Sequence, residues 1–361
     1  MFKTNKKIVL FTGNLELGGI TEIIFGLADS LKKNEVDYKI TCLRADEISL
    51  KKAKEYSLNV EIIGNDIHYY NPTNLYSIYM HLKKYEVIHV HDFPSQLWVA
   101  CLSMFFKKKT LILTEHSTKN NRRKYKFFKY IDRIIHSRYD KIVSITQQVE
   151  EELLKWYKKS KNEKYIVINN GIDLFKFSER TLYKRKDFGI AKEEKILVMV
   201  SRIDFNTKDY ITLLKGIKDL NVKLLIIGDG SDKEKLIKII KKEKLEGKVV
   251  LLGKRDDVNK ILPLCDIGIL SSHFEGFGIA AVEMMACGLP IIVSDVDGLK
   301  QIVRDYGLIF KLGDEKDLEN KIKILLEDSQ IYQEVKEKCK KRSLEFSLET
   351  CFERYMKIYN S

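Results

Sequence analysis

Short apolar runs rich in Val, Ile and Leu recur along the chain, separated by longer charged stretches in which apolar residues return every three or four positions. In the first half the runs fall at residues 8–12, 38–43, 60–63, 87–90, 111–114, 142–145 and 166–168. They are apolar nearly throughout, the pattern of strands covered on both faces. Segments between them, such as residues 21–33, carry the helical period. Strand, helix, strand at this spacing predicts a parallel sheet with right-handed crossovers. The rhythm lapses over residues 173–193, which are charged and lack a period of two, and we read 176–193 as a linker. It resumes at 196–200, 223–227, 249–252, 267–270, 291–293 and 308–310. The expectation is an α/β protein of two Rossmann-like parallel-sheet domains, residues 1–175 and 194–345, facing a central cleft. An amphipathic helix at 346–361, which Ser347 can cap, is expected to pack back on the first domain. Open parallel sheets bind ligands beyond the carboxyl ends of their strands, so chemistry is sought in the residues that follow each run.

Composition narrows this picture in three ways. With 44% hydrophobic residues the chain can bury two cores and is not a disordered one. The 64 Lys and Arg against 51 Asp and Glu leave a net charge of +13. That surplus suits anionic partners such as nucleotide phosphates, nucleic acid or an acidic membrane face, and equally suits solvated lysine-rich helices. The six cysteines include no C-x-x-C pair, so they read as free thiols of a reducing compartment. The short charged N-terminus runs straight into a strand, so no signal peptide is expected. The apolar run at 97–106 is too short to span a bilayer and reads as a buried helix. A cytoplasmic protein follows, at most peripheral at the inner face of the plasma membrane.

Three segments after strands carry candidate chemistry. The first run is followed by Gly18 and Gly19 at the start of a helix, where backbone can come close to an anion. No Gly-Lys-Ser/Thr follows, so this is not a nucleotide-triphosphate loop of the Walker type. The strand ending at Val200 is followed by Arg202 and Lys208, a planar fork and a point charge that can converge on one diphosphate. The strand at 267–270 leads into Glu275, Gly276, Phe277, Gly278 and Ile279. A tight glycine loop there opens a helix of small residues whose free amides suit phosphate oxygens. Glu283 interrupts the apolar face of that helix, where a carboxylate needs a bonded partner such as a ribose diol. Glu275 stands in the loop, free to reach a sugar hydroxyl.

The spacing Glu275-x7-Glu283, with Phe277-Gly278 inside it and Ala286-Cys287-Gly288-Leu289-Pro290 after it, resembles the signature of the large retaining GT-B glycosyltransferase family, relatives of glycogen synthase and phosphatidylinositol mannosyltransferase. The resemblance covers nearly the whole chain. Gly18-Gly19 is similar to the family's N-terminal glycine loop, and Asn170-Gly171-Ile172-Asp173 to the run that closes its first domain. Gly228-Asp229-Gly230 is similar to its second glycine turn. By this resemblance His116 reaches the transferred sugar, and Arg202 and Lys208 neutralise the leaving diphosphate. Glu275 holds a sugar hydroxyl, Glu283 the ribose, and the segment around Arg255 the nucleobase. His91 and Asp92 line the acceptor side. Asp209 and Met284 depart from the family's commoner Gly and Ala. The resemblance implies a metal-independent hexosyltransferase with no cofactor, in which a nucleotide sugar, UDP-linked first of all, is a co-substrate. Its acceptor would be a lipid-linked or polysaccharide glycan of surface or capsule biosynthesis.

Other signals weigh less. Asp295-Val296-Asp297 spells the metal–nucleotide motif of a different glycosyltransferase fold, but it follows a strand of the second half. His89 and His91 would share a strand face without a third ligand spaced to join them. The stretch from Lys119 to Lys141, KNNRRKYKFFKYIDRIIHSRYDK, interleaves basic and aromatic residues. It reads either as a solvated helix face or as a contact for an anionic membrane. No nucleic-acid module accompanies it, so nucleic acid is not an expected partner. A sugar-nucleotide epimerase of similar fold and a basic binding protein that has lost catalysis are the alternatives to a transferase. The set His116, Arg202, Lys208, Glu275 and Glu283 favours the enzyme.

Overall fold

A computed structural model describes residues 4–16, 18–64, 71–117, 121–178, 181 and 183–361. The chain divides into two compact units, Met1–Gly171 together with Leu348–Ser361, and Ile172–Ser347.

The first unit is built on a seven-stranded sheet of β1 (Ile8–Leu15), β2 (Tyr38–Ala45), β3 (Val60–Ile62), β4 (Val87–Val90), β5 (Thr110–Glu115), β6 (Lys141–Ser144) and β7 (Tyr165–Val167). The order is β3-β2-β1-β4-β5-β6-β7, and all pairings are parallel. Ile8, Val9, Leu10 and Phe11 are fully buried, as their unbroken apolar run requires. The chain moves outward from β1 to β3 and then returns to the other side of β1. Its connections diverge between β1 and β4, and such a switch point leaves a crevice at the carboxyl ends of the two strands.

Helices Asn74–Leu82, Ser95–Leu102, Phe128–Ser137 and Gln147–Tyr157 share a core with this sheet through Ile78, Trp98, Ile135 and Leu153. The run read as a buried helix is only partly so. Trp98 and Val99 are in the core, but the helix ends at Leu102, and Met104 and Phe105 of the following turn are exposed. The C-terminal helix Leu348–Asn360 packs in this unit against helix Gly19–Lys33. Gly26 permits the approach, because a Cβ there would stand 3.0 Å from Leu348 Cδ1.

The second unit has β8 (Lys195–Val200), β9 (Val222–Ile227), β10 (Val249–Gly253), β11 (Ile267–Leu270), β12 (Ile291–Ser294) and β13 (Leu308–Phe310). These strands form a parallel sheet in the order β10-β9-β8-β11-β12-β13. Its switch point lies between β8 and β11. Much of the stretch read as a linker is packed on this unit. Arg185 donates to Asp266 Oδ2 at 3.0 Å, and Ile190 is buried. Residues 179, 180 and 182 of that stretch lie outside the described residues. Phe346 ends a short turn in this unit, its ring 5.5 Å from Phe277, and the final helix starts at Leu348.

Candidate active site

In the second unit the candidate residues gather where β8 and β11 end. The loop after β8 is folded on Asp204, whose carboxylate accepts from the amide of Asn206 at 2.9 Å and from the Thr207 hydroxyl at 3.2 Å. The Lys208 amide donates to Asp204 O at 2.8 Å. Lys208 also forms a β-bridge with Ser272, just beyond β11. Its Nζ donates to Ser272 Oγ at 3.1 Å and makes an ion pair with Glu275. The two residues thus meet across 67 positions of sequence because β8 and β11 are neighbours. Ser294, at the end of β12, braces the same point. Its hydroxyl accepts from the Ser272 amide at 2.9 Å and donates to Ser272 O at 2.8 Å. Asp209, one of the departures from the family pattern, has a local task. It caps helix Tyr210–Gly216 by accepting from the Thr212 amide at 3.1 Å. Arg202 leaves the same strand as Lys208 and is exposed.

The glycine loop after Glu275 is set by backbone geometry. Gly278 precedes helix Ile279–Ala286 with φ 84°, and a Cβ there would lie 2.4 Å from Leu299 Cδ2. The helix therefore begins without a side-chain cap; the Ala281 and Val282 amides turn back onto Gly278 O, and it is the amides before them that a ligand could meet. Gly298 lets the chain pass under Glu275, since a Cβ on it would be 2.2 Å from Glu275 O. Gly276 and Ile279 are half-buried, whereas the Phe277 ring is buried against Phe346, so Phe277 can offer a ligand only its backbone. Glu283 is half-buried one turn above Cys287, and burial, then Glu283, push the Cys287 thiol up to about 12. Arg255 is already engaged. It binds Asp257 through two bonds of 2.8 and 2.6 Å and donates to the Tyr183 hydroxyl at 3.2 Å. A ligand at Arg255 would have to share a guanidinium that Asp257 holds.

In the first unit, Asp92 spans the switch point. Its carboxylate accepts from the Gly13 amide at 2.9 Å and the Asn14 amide at 3.4 Å, tying β4 to β1, while burial raises its pKa. Gly18 and Gly19 are exposed at the start of the first helix. His91 and His116 follow β4 and β5, and their rings meet through Nδ1 and Nε2 at 3.3 Å. A hydrogen bond between neutral imidazoles needs one donor and one acceptor. The two outer nitrogens, His91 Nε2 and His116 Nδ1, are then one donor and one acceptor as well. Both are buried without a partner among the described residues, a pair suited to hydroxyl groups. Beneath them His89 is held by Tyr359 Oη at 2.8 Å and Thr114 Oγ1 at 2.7 Å, and Thr114 meets Tyr355 Oη at 3.1 Å. Sequence reasoning missed Tyr355 and Tyr359. Their only signal was the spacing of four on an apolar helix face, which packing alone also explains.

Burial lowers the pKa of His89 and of His116 to about 3, and burial, then neighbouring histidines, hold His91 well below 6.5. His136, packed on Tyr157, is also lowered, first by burial and then by Arg122 and Arg123. A histidine whose folded pKa is depressed stays neutral in the fold but takes a proton when unfolded below pH ~6.5. Stability is therefore complete above that pH and declines as pH falls towards 3. Each such group contributes a slope of about 1.4 kcal/mol per pH unit. Urea midpoints measured from pH 7 to pH 4 should drop accordingly. The His136→Phe variant should fall less steeply, since neither His136 nitrogen has a partner among the described residues. Identical pH slopes in the two proteins would contradict this account.

The basic stretch separates into two parts. Lys119 lies outside the described residues. Arg122 and Arg123 are drawn inward: Arg122 Nε donates to Asp132 Oδ1 at 2.9 Å, and Arg123 lies 3.6 Å from Glu115. Trp156 Nε1 donates to the other Asp132 oxygen at 3.2 Å. Lys124, Lys126 and Arg133 are exposed. Among the described residues no group of three or more His, Cys, Asp or Glu is arranged to hold a metal ion, and Asp295 pairs with Lys300 at 2.6 Å. No helix among them is long and apolar enough to cross a membrane, and the six cysteines are free thiols.

The chain is similar to known proteins in both of its halves. The family profile described as "Glycosyl transferases group 1" matches residues 182–342, and that described as "Glycosyltransferase Family 4" matches residues 17–175. An uncharacterized glycosyltransferase of Methanocaldococcus jannaschii is 30% identical over 287 residues, which are 76% of this chain and 75% of that one. N-acetyl-alpha-D-glucosaminyl L-malate synthase of Bacillus anthracis is 31% identical over 193 residues, 50% of this chain, and the match spans 51% of the synthase's own length. The Campylobacter jejuni N-acetylgalactosamine-N,N'-diacetylbacillosaminyl-diphospho-undecaprenol 4-alpha-N-acetylgalactosaminyltransferase is 28% identical over 261 residues, 69% of each chain. Among solved structures, Anabaena HepE in complex with UDP and glucose superposes with a TM-score of 0.86 at 18% identity, covering 98% of both chains. With a profile on each half, a full-length structural match and a relative aligned over three quarters of the chain, this protein belongs to the group 1 glycosyltransferases and has the GT-B fold.

Proposed function

We propose that the protein is a retaining hexosyltransferase that uses a nucleotide sugar, first of all a UDP-sugar, and needs no metal. The observation that carries the reading is the pole of the second unit. Lys208 is held there beside Glu275, next to a helix that begins uncapped at Gly278. Breaking the anomeric bond puts negative charge on the diphosphate and an oxocarbenium-like charge on the sugar, and fixed cations and helix amides lower that barrier. In this reading Arg202 and Lys208 take the phosphate charge, Glu275 a sugar hydroxyl and Glu283 the ribose. Glycine, phenylalanine and isoleucine backbone from Gly276 to Ile279 lies along the donor. The bond from C1 to the phosphate oxygen breaks and the bond to the acceptor oxygen forms on the same face. The acceptor proton passes to the leaving phosphate oxygen. His116, paired with His91, meets a hydroxyl of the transferred sugar, and Asp92 supports the acceptor side.

The acceptor we propose is a lipid-linked or polysaccharide glycan of surface biosynthesis. It would be met on the cytoplasmic side of an anionic membrane, a reading to which the Campylobacter relative's diphospho-undecaprenol substrate lends support. The test is release of nucleoside diphosphate from UDP-hexoses, with and without a polyprenyl-diphosphate-linked sugar, in the presence of a metal chelator. Acceptor-dependent release that withstands the chelator, with an α-linked product from an α-linked donor, is the expected result. Release that ignores every acceptor would sink the transferase assignment for this site.

A further inference from the structure

The surface of helix Phe128–Ser137 and of the turn before it is unusual for a water-facing surface. Tyr125 is 60% exposed, Phe127 57%, Tyr130 71% and Ile134 62%. Their grouping is not accidental. Tyr125, Phe127 and Phe128 form a ring cluster with centroids 4.3 to 6.5 Å apart, and Tyr130 and Ile134 lie one helical turn from each other. The opposite face of the helix is buried through Asp132, Ile135 and His136. Large apolar side chains left together in water mark a contact surface.

Charge says what kind of contact. Lys124, Lys126, Arg133 and Arg138 are exposed around these rings, and Lys129 is half-buried among them. Between residues 122 and 138 the single acid is Asp132, fully buried and paired with Arg122. The face therefore carries cations with no acid between them. A protein interface would desolvate the lysines at its centre, where lysine is disfavoured. A bilayer interface takes both components, rings at the level of the headgroups and lysine stems that reach up to phosphates.

We propose that the first unit docks on an anionic bilayer through this face, with Tyr125, Phe127, Tyr130 and Ile134 in the headgroup layer and Lys124, Lys126, Lys129 and Arg133 against lipid phosphates. Arg122 and Arg123 take no part, being held inside the unit. The inference gives the proposed membrane partner a definite surface. It rests on the reading of a membrane-borne acceptor only for its purpose, because docking is measured without sugar transfer.

Vesicle flotation tests it, using phosphatidylcholine with and without phosphatidylglycerol. The wild type should float only with the anionic vesicles. Each basic residue near such a surface is worth about fivefold in affinity. Changing Lys124, Lys126, Lys129 and Arg133 to Gln should therefore weaken binding on the order of 100-fold or more. The pair Phe127→Ser and Tyr130→Ser should weaken it with the charge intact. A control removes four exposed lysines of the second unit, Lys238, Lys241, Lys242 and Lys340, and should bind as the wild type does. Failure of the wild type to bind anionic vesicles would overturn the proposal in favour of a protein or nucleic-acid partner. Equal loss in the control would overturn it by assigning the effect to net charge. Turnover of a water-soluble acceptor should be the same in all these variants, so docking and transfer fail separately.

Discussion

Lys208→Ala is expected to lower kcat by about 100- to 1,000-fold, the range seen when one preorganised charge-stabilising group is removed from an active site. The loss should fall mainly on turnover, because negative charge on the diphosphate grows as the anomeric bond breaks, and an interaction strengthened in the transition state acts on kcat. The partner of this lysine sharpens the test. The anion beside Lys208 is the carboxylate of Glu275, and Ser272 Oγ takes a second Nζ bond at 3.1 Å. A diphosphate must displace or share that carboxylate. Glu275→Gln should therefore bind nucleoside diphosphate several-fold more tightly, since Lys208 loses a competing anion, while transferring sugar more slowly because a carboxylate that would orient the hydroxyl is gone. Calorimetric titration with UDP and steady-state kinetics would read the two effects. Weaker UDP binding in Glu275→Gln would mean that the ion pair holds the site together instead of competing for it. Unchanged turnover in Lys208→Ala would remove the lysine from the chemistry.

Asp132→Ala should destabilise the first unit by about 3–5 kcal/mol, the usual result of removing one member of a buried ion pair. Asp132 is fully buried and accepts from both Arg122 and Trp156. The Arg122 side chain is itself only 8% exposed. Alanine leaves a guanidinium in the interior without its carboxylate, and an indole N–H without its acceptor. The double variant Arg122→Met with Asp132→Leu should lose less than the single one, because an apolar pair of similar volume carries no buried charge. Urea unfolding of the three proteins distinguishes these cases. A single variant within 1 kcal/mol of the wild type would show that the pair is not the anchor of this turn. The result also bears on membrane docking. If these arginines are structural, charge reversal at 122 or 123 would unfold the unit rather than report on lipid.

Much of this protein could be read from the sequence because its central strands are buried on both faces. Ile8, Val9 and Leu10, and likewise Ile267 to Leu270, show as apolar runs with no knowledge of their neighbours, and the alternation of such runs with amphipathic helices dictates parallel α/β units. The positions of candidate chemistry followed from the same rule, since ligands meet a parallel sheet beyond its carboxyl ends. Arg202, Lys208, Glu275 and His116 all stand there. Hydrophobic period is a local property, carried by each segment alone. Pairing is not local, and that is where tertiary structure decided. Only the sheet order sets β8 beside β11 and so brings Lys208 onto Glu275. Only the C-terminal helix packed in the first unit places Tyr359 on His89, 270 residues away in sequence. The basic stretch makes the same point. Seven cations from Arg122 to Arg138 look alike as letters. The fold buries Arg122 on Asp132 and leaves Lys124, Lys126 and Arg133 to solvent, because which face of a short turn points inward depends on the surface it packs against.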